Sequence, residues 1–224
     1  MSTGTDKNKK RVFLVDDHPL VREWLTNLIN QQPDLSVCGE SENAPQALQA
    51  ISASKPDIAI VDLSLKDSSG IELIKALKEA QPGVAVLVLS MHDETHYAER
   101  ALRAGAKGYV MKRETTRKVI EAIRRILEGK LYISEKVAEA LAGRLAEGRR
   151  PEGLSPIEQL SDRELEVFEM LGQGQGTRQI SETLRVSVKT VQAYCARIKE
   201  KMNLSSATEL LREAIRWSEK KNPR

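Results

Sequence analysis

The amino-acid sequence predicts an α/β domain built on a five-stranded parallel sheet, followed by a linker and an all-α domain of four short helices. In the first half, short β-branched apolar runs alternate with stretches whose apolar residues recur every three or four positions, which is the pattern of βαβ units. From Ser161 onward no strand pattern returns. The 224 residues are enough for two domains of ordinary size.

The predicted strands are short apolar runs, most of them continuously apolar rather than alternating. Continuous apolarity is expected where helices cover both faces of a parallel sheet. The five runs are RVFLVDD (11–17), LSVCGES (35–41), DIAIVDL (57–63), VAVLVLSM (84–91) and GYVMK (108–112).

Helices are predicted between and after these strands because apolar residues fall at helical spacing, as in Ile71, Ile74 and Leu77. The five predicted helices span Pro19 to Asn30, Ala44 to Ala53, Gly70 to Ala80, Glu94 to Ala104 and Thr115 to Glu128.

The pattern changes after Gly129. Ser134 to Glu147 predicts one more helix, and GRRPEGLSP behind it is rich in Gly, Pro and charge, which is typical of a linker. We therefore divide the chain into a first domain at residues 9–130, a linker with a helix at 131–157, and a helical domain at 158–220.

Composition excludes several classes of protein. The longest apolar run, about Val84 to Leu89, is far shorter than the roughly 20 residues that span a bilayer. The start MSTGTDKNKK has no apolar segment that would act as a signal peptide, so we expect a cytoplasmic protein without a membrane partner. Cys38 and Cys195 lie far apart without a metal-binding motif and are expected to be small core residues. A net charge of +3 does not by itself indicate nucleic-acid binding.

Carboxylates follow the predicted strands at their carboxyl ends. Asp16 and Asp17 close the first strand, and Asp62 closes the third. Because the carboxyl ends of parallel strands share one edge of a sheet, these side chains are expected to converge. Three carboxylates in one place repel one another, and a hard cation such as Mg²⁺, which takes oxygen ligands, is the expected compensation.

Two further polar residues close the fourth and fifth strands, Ser90 the fourth and Lys112 the fifth. A lysine charge beside a serine hydroxyl suits the oxygens of a phosphoryl group. Since a carboxylate can act as a nucleophile and form an aspartyl phosphate, phosphoryl transfer is the candidate chemistry. Each residue taken alone is also an ordinary helix cap or turn former, but the complete set favours a site.

The motifs VDD, IVDLSLKDSSG, VLS and GYVMK follow one another in the order and at the spacing of the receiver domain of two-component response regulators, which residues 10 to 130 resemble. The resemblance implies a flavodoxin-like (βα)5 fold and phosphorylation of Asp62 by a sensor histidine kinase. The implied Mg²⁺ ligands are Asp16, Asp17, Asp62 and the backbone carbonyl of Ser64, and the implied phosphoryl contacts are Lys112 and Ser90.

The same resemblance implies a switch. In that family the residue corresponding to Ser90 moves toward the phosphoryl group, and an aromatic residue corresponding to Tyr109 turns inward to follow it. An ordinary, half-exposed strand aromatic is the alternative for Tyr109.

The second half begins with a helix signal, since Ser161 is followed at three residues by Glu164, a capping-box pattern. GQGQG ends this helix, RQISETL predicts a short second helix, and Ser187 is a cap for the third. In the third helix, residues at steps of three and four are expected to form a buried seam; these residues are Val188, Val191, Cys195, Ile198 and Met202.

The opposite face of that third helix is basic. Between Arg185 and Lys201 five basic residues stand against the single acid Glu200. Two short helices with a tight turn, the second presenting basic and amide side chains, are typical of a helix-turn-helix whose second helix enters the major groove. The alternative is a charged face that is simply solvated.

Residues 158 to 218 resemble the LuxR-type DNA-binding domain, and with the receiver they imply a NarL/FixJ-type response regulator. By the geometry of that family, the residues implied to face the DNA groove are Lys189, Gln192, Ala193 and Arg197. Those implied to lie near the backbone phosphates are Thr177, Arg178, Thr190 and Lys201. The last helix, Ala207 to Trp217, is expected either to pack internally or to form the contact of a homodimer on DNA.

The leading hypothesis is therefore a transcription regulator that is not an enzyme and that binds double-stranded promoter DNA under the control of Asp62 phosphorylation. A Mg²⁺-dependent phosphatase using the same aspartyl-phosphate chemistry is a second hypothesis. It is disfavoured because Asp16 and Asp17 are adjacent, whereas the two acids of the haloacid-dehalogenase family of phosphatases are separated by one residue. No further domain is available to cap a small substrate. A third is an adaptor whose basic helix binds an acidic protein instead of DNA.

Overall fold

The computed structural model describes residues 9–65, 68–114, 116–146, 156–157 and 159–221. The chain divides into two compact units, Met1–Glu147 and Gly148–Arg224. The helix predicted within the linker belongs to the first unit. Residues 147–155 and 158, in the predicted linker and at the predicted start of the helical domain, lie outside the described residues.

The sheet of the first unit confirms the predicted α/β fold. The strands are β1 (Lys10–Val15), β2 (Leu35–Ser41), β3 (Ile58–Val61), β4 (Ser64–Leu65), β5 (Ser68–Ser69), β6 (Ala85–Ser90) and β7 (Gly108–Met111). Five of them form a sheet in the order β2-β1-β3-β6-β7, and every neighbouring pair in it is parallel. The order reverses beside β1, which opens a crevice at the carboxyl ends of β1 and β3.

The pair β4 and β5 was not predicted. It is a small antiparallel hairpin that follows directly after Asp62 and lies outside the main sheet. Each strand has only two residues, which is too short for an alternation of apolar and polar residues to appear in the sequence.

The helices of the first unit begin and end within one residue of the predicted bounds. Side-chain caps explain several of the starts, since Asn43, Ser69 and Asp93 each accept a hydrogen bond from a backbone amide of the following turn. The helices are α1 (Pro19–Asn30), α2 (Ala44–Ser54), α3 (Gly70–Ala80), α4 (Glu94–Ala104), α5 (Thr116–Leu127) and α6 (Glu135–Ala146).

The core of the first unit lies on the two faces of the sheet. All residues of β3 and β7 are buried, as expected for strands covered on both sides. Aliphatic side chains from α1 and α5 complete the core on one face, among them Leu25, Ile29 and Ile123. The polar residues that follow the strands are therefore held on a rigid, dry support.

The second unit consists of helices among its described residues, as predicted: α7 (Asp162–Gly172), α8 (Thr177–Thr183), α9 (Val188–Lys201) and α10 (Ala207–Lys221). Their buried residues form one core, with Phe168 and Trp217 in a tilted ring contact at 5.8 Å. The core residues include Leu165, Phe168, Ile180, Val191, Ile198, Leu210 and Ala214.

The predicted seam on α9 is partly wrong. Val191 and Ile198 are buried, but Val188 is 38% exposed, and Met202 and Cys195 are half-buried. Val188 is the first residue of the helix, and Cys195 borders a cavity of about 500 Å³ against α10. The buried stripe is therefore narrower than the periodicity indicates.

The expectation that both cysteines are core residues is also wrong, since Cys38 is half-buried like Cys195, and neither forms a disulfide. No helix among the described residues combines the length and the apolarity that crossing a membrane requires.

Candidate functional site

The polar residues predicted from the strand ends come together at the carboxyl edge of the sheet. Asp16 follows β1, Asp62 follows β3, and Lys112 follows β7. The Nζ atom of Lys112 lies 2.6 Å from Oδ2 of Asp16 and 2.7 Å from Oδ2 of Asp62. Both carboxylates are only 3% exposed, and Ser90, at the end of β6, is fully buried. A single ammonium group therefore bridges two buried carboxylates.

Burial and charge act against each other in this cluster. Burial raises the pKa of Asp62, the charge of Lys112 opposes that effect, and the neighbouring carboxylate of Asp16 raises the pKa again. For Lys112, burial lowers the pKa, but the attraction of Asp62 and Asp16 outweighs it and holds the pKa above the ordinary lysine value. Lys112 therefore stays charged.

Asp17 completes a group of acids that suits a cation. One ligand atom from each of Asp16, Asp17, His18 and Asp62 lies within 4.8 Å of the others. With all three carboxylates ionised, one lysine leaves two negative charges uncompensated, which matches a divalent cation with oxygen ligands such as Mg²⁺. The donor set of three carboxylates therefore fits the expected metal.

His18 is a neighbour of the site that the sequence reasoning missed. Its backbone amide donates to Oδ1 of Asp16 at 2.9 Å, and its Nδ1 lies 2.8 Å from Oδ1 of Asp17. Its place directly after the acid pair was a signal for such a role. His18 orients both carboxylates at the start of α1.

The backbone behind Asp62 is tightly packed. The amide of Ser64 donates to Oδ1 of Asp62 at 3.3 Å, whereas the metal-binding role of the Ser64 carbonyl stays a prediction. A Cβ atom added at Gly70 would lie 2.2 Å from the carbonyl oxygen of Asp62, so only glycine permits this approach. The start of α3 thus supports the turn that presents Asp62.

His92 connects the residues predicted to form the switch, and the sequence reasoning missed it as well. Its amide donates to Oγ of Ser90 at 3.3 Å, and its carbonyl accepts from the hydroxyl of Tyr109 at 2.9 Å. Its ring stacks on Tyr97 of α4 at 4.3 Å, and its Nε2 lies 2.7 Å from Oγ of Ser64. Tyr109 is 2% exposed, which excludes the half-exposed alternative.

The second unit contains two helices joined by a tight turn. Between α8 and α9, Arg185 adopts a positive φ of 54°, and Ser187 caps α9 by accepting from the amide of Thr190 at 3.0 Å. The predicted capping box of Ser161 and Glu164 at the start of α7 is present with both of its hydrogen bonds. This arrangement is a helix-turn-helix.

The outer face of α9 is basic and accessible. The residues predicted to face the DNA groove are all exposed, and the guanidinium of Arg197 lies 6.0 Å from the ring centre of Tyr194. The exposed groove residues are Lys189, Gln192, Ala193 and Arg197, and the residues predicted near the phosphates are half-buried at Thr177 and Thr190 and exposed at Arg178 and Lys201.

Lys201 has an internal partner that the sequence did not reveal. Its Nζ lies 2.6 Å from Oε2 of Glu164 and donates to the carbonyl of Gln159 at 3.2 Å. Burial raises the pKa of Glu164, but the hydrogen bonds from Lys201 and Ser161 lower it by more, so the pKa lies below its ordinary value. Lys201 thus ties the end of α9 to the start of α7.

The two folds place the chain in the class of regulatory proteins that combine a receiver unit with a nucleic-acid-binding unit. The family model of the response regulator receiver domain matches residues 12–124, and that of the bacterial regulatory proteins of the luxR family matches residues 158–214. The chain therefore belongs to the two-component response regulators with a luxR-type DNA-binding domain.

Individual relatives cover nearly the whole chain. The oxygen regulatory protein NreC of Staphylococcus carnosus is 33% identical over 210 residues, which cover 92% of this chain and 97% of the relative. The transcriptional regulatory protein DegU of Brevibacillus brevis is 30% identical over an alignment that covers 96% of this chain and 97% of the relative. The structure of RcsB from Salmonella enterica serovar Typhimurium, bound to the promoter rprA with the phosphomimetic BeF3-, is similar with 25% identity and a TM-score of 0.59, over 92% of this chain and 98% of that one.

The contact of Lys201 with Glu164 predicts a pH-dependent stability of the second unit. Glu164→Gln should lower its free energy of unfolding at pH 7 by about 1 to 2 kcal/mol, because a charged hydrogen-bond acceptor is lost. A carboxylate with a depressed pKa stabilises the fold above the unfolded value of about 4.3, and this contribution is lost as the pH falls through the folded pKa. Calorimetry of native and variant chains should therefore show a difference that narrows below about pH 4.

The matched control is Glu182→Gln on α8, where the carboxylate is 69% exposed and 3.5 Å from Arg178. It should change stability by less than about 0.5 kcal/mol. A Glu164→Gln chain as stable as the native chain at pH 7, or a difference that grows on acidification, would contradict the role assigned to Glu164.

Proposed function

We propose that this chain is a cytoplasmic transcription factor whose Asp62 accepts a phosphoryl group from a sensor histidine kinase with Mg²⁺ in the site, and whose phosphorylation controls binding to promoter DNA. The observation that carries the proposal is the position of Lys112 between Asp16 and Asp62, at 2.6 and 2.7 Å. A phosphoryl group on Asp62 brings its oxygens beside this ammonium group, which is a suitable donor for them.

The transfer is a substitution at phosphorus. A carboxylate oxygen of Asp62 forms the new bond to phosphorus, while the bond from phosphorus to the kinase histidine breaks and the leaving nitrogen takes up a proton. Asp16, Asp17, Asp62 and the Ser64 carbonyl would hold Mg²⁺, which neutralises charge on the phosphoryl oxygens when bound. Lys112 donates hydrogen bonds to the same oxygens, and the neighbouring carboxylates of Asp62 and Asp16 raise its pKa before transfer, so it enters the reaction protonated.

Ser90 and Tyr109 are the proposed switch. The hydroxyl of Ser90 accepts from the amide of His92, whose carbonyl in turn accepts from Tyr109. We propose that Ser90 turns toward the phosphoryl group and that Tyr109 follows through this shared segment. Phosphorylation of Asp62 is thereby converted into a shift of the segment before α4.

The second unit is the proposed output. The groove face of α9 reads base edges, and residues of α8 and the ends of α9 contact phosphates, which supply most of the affinity. Leu211 and Ile215 on α10 are 42% and 37% exposed, which supports a homodimer contact on DNA at these two residues. Leu210 and Ala214 on the same helix are buried in the core. The promoter-bound RcsB structure, formed with a phosphomimetic, supports the same coupling.

Replacing the proposed acceptor should abolish labelling. Asp62→Ala should form no acyl phosphate when incubated with Mg²⁺ and a small phosphoryl donor, whereas the native chain should gain at most one phosphoryl group, as measured by intact mass. Asp57→Ala is the control, because Asp57 lies at the amino end of the same strand and pairs with Lys10 at 2.9 Å. Native-level labelling of Asp62→Ala would refute the assignment, and repeated turnover of a phosphate ester would favour the phosphatase.

Removing a metal ligand should weaken Mg²⁺ binding without unfolding the chain. Asp17→Asn should lower Mg²⁺ affinity about tenfold or more by titration calorimetry, with an unchanged circular dichroism spectrum. Asp17 is chosen because Asp16 also anchors Lys112, and Asp57→Asn should bind as the native chain does. Unchanged affinity in Asp17→Asn would remove Asp17 from the ligand set.

Genome-wide DNA capture with the native chain and with Asp62→Ala, run in parallel, should enrich specific sites for the native chain. A variant on the groove face of α9 tests base reading. On a site recovered by this capture, Arg197→Ala should weaken binding by about five- to a hundredfold, because a base-reading side chain is lost. Arg212→Ala, an exposed residue on α10, should change it less than about twofold. Affinity should also fall steeply with salt. Enrichment for neither chain would refute the transcription-factor proposal and favour the adaptor.

A further inference from the structure

The segment of residues 131–146, which we call the strap, continues the chain after α5. Its first part lies alongside the edge strand β7, where Tyr132 pairs in parallel with Gly108. The amide of Tyr109 donates to the carbonyl of Tyr132 at 2.9 Å, and the amide of Tyr132 donates to the carbonyl of Lys107 at 3.0 Å. The strap is thus hydrogen-bonded directly to the backbone of the proposed switch residue.

This first anchor is closely fitted. A Cβ atom at Gly108 would lie 2.8 Å from the carbonyl oxygen of Tyr132, so the close approach of the two backbones requires glycine. The guanidinium of Arg125 lies 5.9 Å from the ring centre of Tyr132. Backbone pairing and ring packing together hold Tyr132 at the sheet edge.

The second anchor joins the start of α6 to α4. The hydroxyl of Ser134 donates to Oε1 of Glu94 at 2.8 Å and accepts from the amide of Val137 at 3.3 Å. Helix α6 contacts α4, and Val137 is 5% exposed, whereas the other α6 side chains that the structure describes are exposed or half-buried. Among the described residues, the hydrogen bond of Ser134 and the buried side chain of Val137 are therefore contacts that hold α6.

The second anchor includes Glu94, which lies directly after the segment that carries the switch contacts. Glu94 is the first residue of α4 and follows the segment of His92, whose amide bonds to Ser90 and whose carbonyl bonds to Tyr109. A serine hydroxyl that turns toward a phosphoryl group gives up its hydrogen bond with the His92 amide. The segment that positions Glu94 then loses one of its restraints.

We propose that phosphorylation of Asp62 breaks the contact of Ser134 with Glu94 and undocks α6 from α4, while Tyr132 stays paired with β7. The strap is then a relay with one fixed and one releasable anchor. This inference rests on the proposed phosphorylation of Asp62 and adds to it the element through which the signal leaves the first unit.

Hydrogen exchange of the full chain tests the relay. With Mg²⁺ and a small phosphoryl donor, the amides of residues 137–143 should exchange at least about tenfold faster than before, whereas those of Tyr109 and Tyr132 keep their protection. The intact mass of the same sample records the phosphoryl group on Asp62. No mass gain would overturn the proposed function and the inference with it, whereas a full mass gain with unchanged exchange in α6 would overturn the inference alone.

Variants at the releasable anchor give a second test. Glu94→Ala removes the acceptor and leaves the Ser134 cap of α6 in place, so α6 should exchange fast before phosphorylation, with no further increase after it. Glu94→Gln keeps an acceptor oxygen and should retain slow exchange, and Glu139→Ala, at an exposed position of α6, should behave as the native chain. Slow exchange of α6 in unphosphorylated Glu94→Ala would overturn the proposal.

Discussion

The buried ammonium group of Lys112 is the interaction on which the carboxyl edge of the sheet depends. Lys112 follows the edge strand β7, yet its Nζ touches carboxylates that follow β1 and β3, so one side chain links three strands across β6. An unpaired buried carboxylate costs several kcal/mol, and the lysine offsets part of that cost. The cluster keeps enough negative charge to bind a divalent cation. Lys112 therefore stabilises the carboxylates without removing the charge that a metal site requires.

The two sides of this cluster differ, because one fixes Asp62 and the other contains the residues of the proposed switch. Gly70 and the hairpin after Asp62 fix Asp62 from behind, through a backbone approach that leaves no space for a side chain. On the other side, Ser90 and Tyr109 both bind the backbone of His92, at 3.3 and 2.9 Å, and this residue lies in the short segment before α4. Gly70 and the hairpin keep Asp62 in place, and the segment of His92 is the part that moves in the proposed switch.

Sequence reasoning reached the secondary structure, the parallel sheet and the residues at its carboxyl edge because each rests on a strong local signal. Apolar runs mark buried strands, and strand ends of a parallel sheet share an edge. Contacts between residues distant in sequence stayed hidden: neither that of His92 with Tyr109 nor that of Lys201 with Glu164 is marked by spacing. The predicted buried seam on α9 was too wide for the same reason. Helical periodicity shows which side of a helix faces the core, but it does not show how much of that side the neighbouring helices cover.

The tie between Lys201 and Glu164 constrains how the DNA-binding unit can be regulated. It joins the last residue of the recognition helix to the capping box of α7, while Ser187 fixes the first turn of the same helix. Retilting α9 at its Lys201 end would expose the buried carboxylate of Glu164. If phosphorylation controls DNA binding as proposed, it acts on a reading surface whose shape is fixed at this end of α9 when the unit folds.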